Sequence, residues 1–420
     1  MYFFFFFPVG LDRSVRRRPV LSMWLMAVFT VSFLWLHYLP WLFSFNPWRL
    51  VFFPGLNAPW TLVTAVFMHN GWAHLLGNLV YFWVFAPALE SRLGPGRFLL
   101  YFLLWGTAGN LAHGWVATLG LLGQGGLGVM GASGAIAGML GYSLLRLRDA
   151  RIDVAWWVLA PLVGQNRVGR VGLPLPLGVG LWVAWQVIQA SLAELTGSTV
   201  SFGAHLGGLG MGLLMAALLG AGREGRAEAR LARGQRYMRE GAFFPAAGEF
   251  TRYLELCPDS CQGMLELART LQLVGQEEEA VRWYRKAFQH HLESGNVPAL
   301  LEVFKEWTRQ FEADTLTPDE LSRVAHYQEM VLDETGALAT YRMLHQAYPR
   351  HPLGHRALVR IIVLAAGKVA RPEVAQQYLA LARQALPAGS WRDFLVREFS
   401  LPADAGADHG SIPDPAVPAG

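Results

Sequence analysis

The sequence predicts an all-α protein in two parts: a polytopic bundle of six membrane-crossing helices, then a soluble α-helical solenoid. Three observations predict it. Of 420 residues, 53% are hydrophobic and only 16% are charged. The charge is unevenly shared: residues 1–222 hold 12 Arg, no Lys and five acids (Asp12, Glu90, Asp149, Asp153, Glu194), whereas 223–420 hold 23 basic and 26 acidic residues. The halves are therefore +7 and −3. Long apolar runs so poor in charge are satisfied only by a bilayer or by each other, which excludes a soluble or disordered first half. In the second half the composition turns to Ala, Glu, Arg, Leu and Gln with helical periodicity and a 34-residue repeat.

Residues 1–19 form the first segment. Met1 through Phe7, followed by Pro8, is too short to span and has no small-residue cleavage site before the Arg cluster, so it is expected to be an interfacial tether. Apolar windows then mark spans near 20–45, 70–88, 97–119, 132–146, 174–194 and 203–221. The apolar stretch 152–163 is short and ends near Pro161, so it is expected to lie along the interface rather than cross.

The arginines orient the spans. Arg13, Arg16, Arg17 and Arg18 precede span one; Arg92 and Arg97 separate spans two and three; Arg146, Arg148, Arg151, Arg167 and Arg170 separate four and five; Arg223, Arg226 and Arg230 follow six. The opposite loops have only Arg49. By the positive-inside rule both termini are cytoplasmic, and spans two, four and six begin at the outer face. The formal net charge of +4 thus records topology and gives no reason to expect nucleic acid. The two cysteines, Cys257 and Cys261, exclude a disulfide framework and leave a Cys-based zinc site short of ligands.

Strongly polar side chains inside spans are costly and by default suggest function. Span two opens with His69, His74 and Asn78; span four with Gly131-Ala132-Ser133-Gly134; span six with Gly203-Ala204-His205. All three spans run inward from the outer face, so Ser133, His205 and the His74/Asn78 pair should share a depth. Gly134 and Gly138, with Gly208 and Gly212, give small-xxx-small faces that let two backbones approach. A serine hydroxyl is a weak nucleophile unless a base takes its proton, and a neutral imidazole suits that role. Ser133 is the candidate nucleophile, His205 its base, and His74, Asn78 and the Ser133 N–H candidate oxyanion donors. No acid is placed to orient His205, which makes a dyad rather than a triad.

Other readings stand beside this one. A lone serine in a Gly-rich transmembrane helix is commonly a packing residue, and His113 in span three, without partners at its depth, is read as structural. His69, His74 and His205 could in principle bind a metal, but no H-e-x-x-H pattern and no intramembrane carboxylate accompanies them. Neither metal nor cofactor is expected. The opposing class of function is a non-catalytic membrane scaffold.

Taken together these residues resemble the rhomboid family of intramembrane serine proteases. The resemblance runs in order through Pro59-Trp60-Thr61, His69-x4-His74-x3-Asn78, Glu90-Ser91-Arg92-Leu93-Gly94, Gly131 to Gly138, Trp182-x3-Gln186 and Ala204-His205-x2-Gly208-x3-Gly212. It covers roughly 59–212. It implies a six-helix bundle over 20–222 with a cavity open outward, Ser133 and His205 as the dyad, His74 and Asn78 in the oxyanion hole, and His69 as an accessory residue. It also implies that Glu90 and Arg92 tie the inner end of span two to neighbouring loops, and that the substrates are membrane-embedded proteins cut near the outer face of a bacterial inner membrane. Thr61 stands where many members carry Arg.

In the tail, 223–400, Gly241 recurs as Gly275, Ala246 as Ala280 and Phe250 as Tyr284, each 34 residues on. This resembles the tetratricopeptide repeat. Ala375, Leu379, Ala382 and Pro387 suggest a further unit, while 321–349 keeps only an amphipathic pattern. The functional reading of such a tail is a concave groove for a cytoplasmic protein partner; the other is a structural appendage or a homo-oligomer surface. Arg223–Arg239 is expected to continue span six as one helix, and 401–420, rich in Ala, Pro, Gly and Asp, to be disordered.

Overall fold

The computed structural model describes residues 3–399 apart from Ser14, 16–17, Pro40, 42–45, 56–57, 121–127, 161–164, 193–199, 313–314 and 387–388. The expected disordered end lies outside the described residues. The chain is mostly helical and divides into two compact units, Met1–Ala232 and Arg233–Gly420.

In the first unit each apolar window contains one helix: α1 (Val20–Tyr38), α2 (Trp72–Leu93), α3 (Pro95–Thr118), α4 (Ser133–Arg146), α5 (Leu175–Ser191) and α6 (Phe202–Leu218). Among the described residues α1 and α2 are each long and apolar enough to cross a membrane. On α1, Phe29 and Phe33 are buried while Met23, Trp24 and Val31 are exposed. A helix that buries one apolar face and exposes another suits lipid on its outer side. The core gathers Phe29, Phe82, Phe98, Phe102 and Trp105, all at 0% exposure.

Glycine sets the closest helix contact. A Cβ on Gly208 would lie 2.0 Å from the Gly134 carbonyl oxygen, and one on Gly212 would lie 1.9 Å from that of Gly138. Any larger residue would therefore push α6 off α4, in keeping with the small-xxx-small pattern.

The all-α expectation describes the helices but misses a three-stranded antiparallel sheet, ordered β1 (Phe3–Leu11), β2 (Arg151–Ala160), β3 (Gln165–Pro174). The phenylalanine run, expected to be an interfacial tether, is a strand, with Phe6 opposite Trp156 and Pro8 opposite Val154. The stretch after α4 is one arm of a hairpin. Aromatic and β-branched side chains favour a strand, but a strand apolar on both faces lacks the alternation that would have announced it. Because Arg151 pairs with Pro174, the chain enters and leaves the hairpin at one end, and the Leu175 N–H donates to the Ala150 carbonyl at 2.9 Å.

Two further expectations are corrected. Glu90 and Arg92 meet helices rather than loops. Glu90 accepts hydrogen bonds from the Leu21 and Ser22 N–H groups and from Ser22 Oγ, capping α1, whose own N-cap position is Pro19 and offers no side-chain acceptor. Arg92 pairs with Glu228 on α7 (Ala221–Arg239). That helix does not continue α6: Gly220, at φ +71°, ends α6 in a left-handed turn, and α7 leaves at 72°.

The second unit is built of α8 (Phe243–Leu256), α9 (Cys261–Leu273), α10 (Glu277–Glu293), α11 (Val297–Gln310), α12 (Pro318–Met330), α13 (Glu334–Ala347), α14 (Pro352–Ala366), α15 (Pro372–Ala385) and α16 (Ser390–Phe399). Gly241 and Gly275 both have positive φ, +74° and +78°. Ala246 and Ala280, and likewise Phe250 and Tyr284, are fully buried, so residues 34 apart occupy like environments. The 321–349 stretch forms α12 and α13. Ala375 and Ala382 are buried on α15, whereas Pro387 lies outside the described residues.

Candidate active site

Ser133 is the first residue of α4, His74 the third of α2 and His205 the fourth of α6. The N-terminal ends of three helices thus converge. A helix N-terminus presents amide N–H groups without intrahelical acceptors and the positive end of the helix dipole, so this is a local environment suited to developing negative charge.

Ser133 Oγ lies 2.8 Å from His205 Nε2. On the other side of the ring, His205 Nδ1 lies 2.7 Å from Gln186 Oε1. An amide oxygen only accepts, so Nδ1 carries the proton and donates it to Gln186. Nε2 is left with its lone pair toward Ser133. The ring of Trp182, one turn before Gln186 on α5, sits 5.8 Å from the His205 ring.

Gly131, two residues before Ser133, has φ +117°, a conformation that favours glycine. A Cβ there would come within 2.6 Å of the His74 ring and 3.5 Å of Asn78 Nδ2. His74 and Asn78 therefore flank the turn that delivers Ser133. Asn78 is buried, and its Nδ2 has no hydrogen-bond partner among the described residues. A buried amide without an acceptor carries an uncompensated desolvation cost, which an oxyanion at this place would relieve. His74, Asn78, Ser133 and His205 all line one cavity of about 740 Å³, together with Trp72, Tyr81 and Trp182.

Four of the five residues singled out from the sequence thus share the cavity. His69 does not line it. The His69 ring is wholly buried, between the rings of Phe29, at 5.6 Å, and His74, at 5.3 Å, and its carbonyl lies 2.9 Å from His37 Nε2. Two partners were missed. The sequence marks Gln186 only by its spacing from Trp182. His113, expected to be structural and without partners at its depth, has its Nδ1 2.7 Å from Ser201 Oγ, and Ser201 caps the N-terminus of α6. Both contacts join different helices, and no local pattern reports them.

A hydroxyl bonded to a neutral, back-oriented imidazole, with amide donors nearby, can form and stabilise a tetrahedral adduct at a carbonyl carbon.

Residues 56–222 match the family model of the Rhomboid domain. The rhomboid protease GlpG of Yersinia enterocolitica is 30% identical over 158 residues, covering 37% of this chain and 47% of that protein. The putative rhomboid protease YdcA of Bacillus subtilis is 31% identical over 159 residues, 38% of this chain and 66% of the relative. The rhomboid protease GluP of Bacillus subtilis is 31% identical over 173 residues, 41% of this chain and 28% of the relative. The match spans about half the length of the GlpG relative, at 47%.

Proposed function

The chain belongs to the rhomboid family through residues 56–222, and from that premise we propose that it is an intramembrane serine endopeptidase using Ser133 and His205 as a dyad. The observation that carries this reading is the 2.8 Å contact of Ser133 Oγ with His205 Nε2 inside a cavity that His74 and Asn78 also line. His205 takes the hydroxyl proton as Oγ attacks the scissile carbonyl carbon. The oxyanion is received by His74, Asn78 and the first amides of α4. Collapse expels the amine, which takes the proton from His205, and leaves an acyl-Ser133 ester. Water, deprotonated by His205, hydrolyses that ester and restores the hydroxyl.

Six spans with both termini in the cytoplasm fit the arginine distribution. The β2–β3 hairpin supports the count, because a chain that returns to its starting end adds no crossing. In this topology the site lies toward the outer face, and a substrate helix is cut where its own hydrogen bonds are weakened, since an intact helix keeps its carbonyls paired. The second unit is then a cytoplasmic tetratricopeptide-like domain that recruits a protein partner, a reading supported by the matching environments 34 residues apart.

The test is cleavage of a single-span test substrate by purified protein. Ser133→Ala and His205→Ala should each abolish it while helicity and unfolding temperature stay unchanged. Full activity in Ser133→Ala would end the reading, and absence of cleavage by the folded parent protein would favour a non-catalytic scaffold.

A further inference from the structure

We propose that Glu228, outside the matched domain, is a positioning residue that holds α2 and α4 in the register their site residues need. The inference rests on the proteolytic reading for its kinetic consequence but not for its structural one.

Arg92 donates to Glu228 through Nε at 3.0 Å and through Nη2, and Arg146 donates through Nη1 at 2.8 Å. The arginine side chains are 1% and 8% exposed and that of Glu228 is 18% exposed. Arg92 is further fixed by its Nη1 bond to the Ala88 carbonyl, 3.0 Å away. One carboxylate thus joins the last turn of α2 to the last turn of α4. These are the helices whose first turns carry His74 and Ser133. The third, α6 with His205, reaches Glu228 through the chain itself, across the Gly220 turn.

The fit around Glu228 is tight. A Cβ on Gly225, one turn earlier, would lie 2.5 Å from the Arg146 carbonyl oxygen and 2.8 Å from that of Leu145. α7 is therefore packed against the end of α4 by more than charge. An α-helix resists axial compression, so the depth and rotation of its inner end set those of its outer end. Removing one member of a buried ion cluster leaves the other charges unpaired and the helix ends free to shift. A displacement of about 1 Å at reacting atoms is enough to cost on the order of a hundredfold in rate. Glu224, which also pairs with Arg146, at 3.2 Å, is 60% exposed and contributes little.

The experiment uses the full chain in liposomes with Glu228→Gln, Glu228→Asp and Glu224→Gln. Backbone hydrogen exchange is followed by mass spectrometry, alongside cleavage of a single-span test substrate and labelling of Ser133 by a fluorophosphonate. Glu228→Gln should accelerate exchange at the outer ends, residues 72–80 and 131–136, in protein that remains folded. It should lower kcat and the labelling rate together by about tenfold or more with KM changed less than about twofold. Glu228→Asp should recover most of both, and Glu224→Gln should match the parent. Faster exchange confined to 88–93 and 143–147, or unaltered kcat per folded molecule, overturns the proposal. If the parent neither cleaves nor labels, the proteolytic reading fails instead, and the exchange pattern still decides Glu228.

Discussion

Gln186 Oε1 stands 2.7 Å from His205 Nδ1, so the imidazole that faces Ser133 is oriented by a neutral amide where a triad would place a carboxylate. The amide fixes the tautomer and the ring plane, and in the proposed reaction it would not offset the imidazolium charge that develops during attack.

Loss of that orientation should appear in kcat. Gln186→Leu keeps the volume but removes the acceptor, leaving Nδ1–H buried without a partner and the ring free to rotate. Turnover of a single-span test substrate is expected to fall by about tenfold to a hundredfold with KM little changed. An unchanged kcat would show that Ser133 alone orients the ring.

Gly212 separates packing from chemistry. Its Cβ would lie 1.9 Å from the Gly138 carbonyl oxygen, whereas nothing lies within 4 Å of a Cβ on Gly210. Gly212→Ala is expected to destabilise the bundle by about 1–3 kcal/mol through overpacking and to lower cleavage by parting His205 from Ser133. Gly210→Ala should do neither. Unfolding followed by helicity, together with cleavage assays, distinguishes the two.

The proposed oxyanion donors predict a different pattern. Asn78→Ala removes an Nδ2 that has no partner among the described residues, so stability should hold or rise slightly, while kcat falls by roughly tenfold to a thousandfold. His74→Ala should fall in the same range. If the loss of rate followed the loss of folded protein, neither residue would be a transition-state donor.

These residues were legible in the sequence because membrane topology makes depth readable. The positive-inside reading starts three spans on one side, and the unusual polar residues sit within their first turns, so Ser133, His205, His74 and Asn78 could be brought together without any contact information. Gly208 and Gly212 were legible for a similar reason, since their four-residue step marks a helix face. What the sequence withheld depends on partners remote in the chain. Phe3–Leu11 becomes a strand only because Arg151–Ala160 lies beside it, and apolar residues on both faces give no period-two signal. The Arg92–Glu228 pair spans 136 positions, and Gln186 reaches His205 from another helix.

The same cluster sets a pH dependence. Burial alone would raise the Glu228 pKa, but the hydrogen bonds and charges of Arg92 and Arg146 outweigh it and hold the carboxyl at about 2, below its ordinary 4.5. The unfolded carboxylate binds its proton as the pH falls through 4.5 and the folded one only near 2, so the stability it contributes is complete above 4.5 and is lost as the pH falls toward 2. The difference in unfolding temperature between the parent and Glu228→Gln is therefore expected to stay constant from about pH 5 to 8 and to shrink in more acidic buffer. A difference that grew on acidification would carry the wrong sign for a depressed carboxylate.

Where the chain can be cut follows from the same geometry. The rhomboid match ends at Gly222, whereas the first compact unit runs on to Ala232 and contains Glu228 and Gly225. Removing residues 233–420 leaves the Arg92–Glu228–Arg146 cluster intact and takes away only the second unit. Cleavage of a single-span test substrate should then remain within about threefold of the full chain, a change of less than ~0.7 kcal/mol in activation free energy. Removing 223–420 deletes the carboxylate and the packing on the end of α4, and the rate should drop as it does in Glu228→Gln or further. Equal activity from both truncations would show that α7 belongs with the tail. Loss of cleavage on removing only 233–420, with helicity preserved, would mean that the second unit itself supports the site.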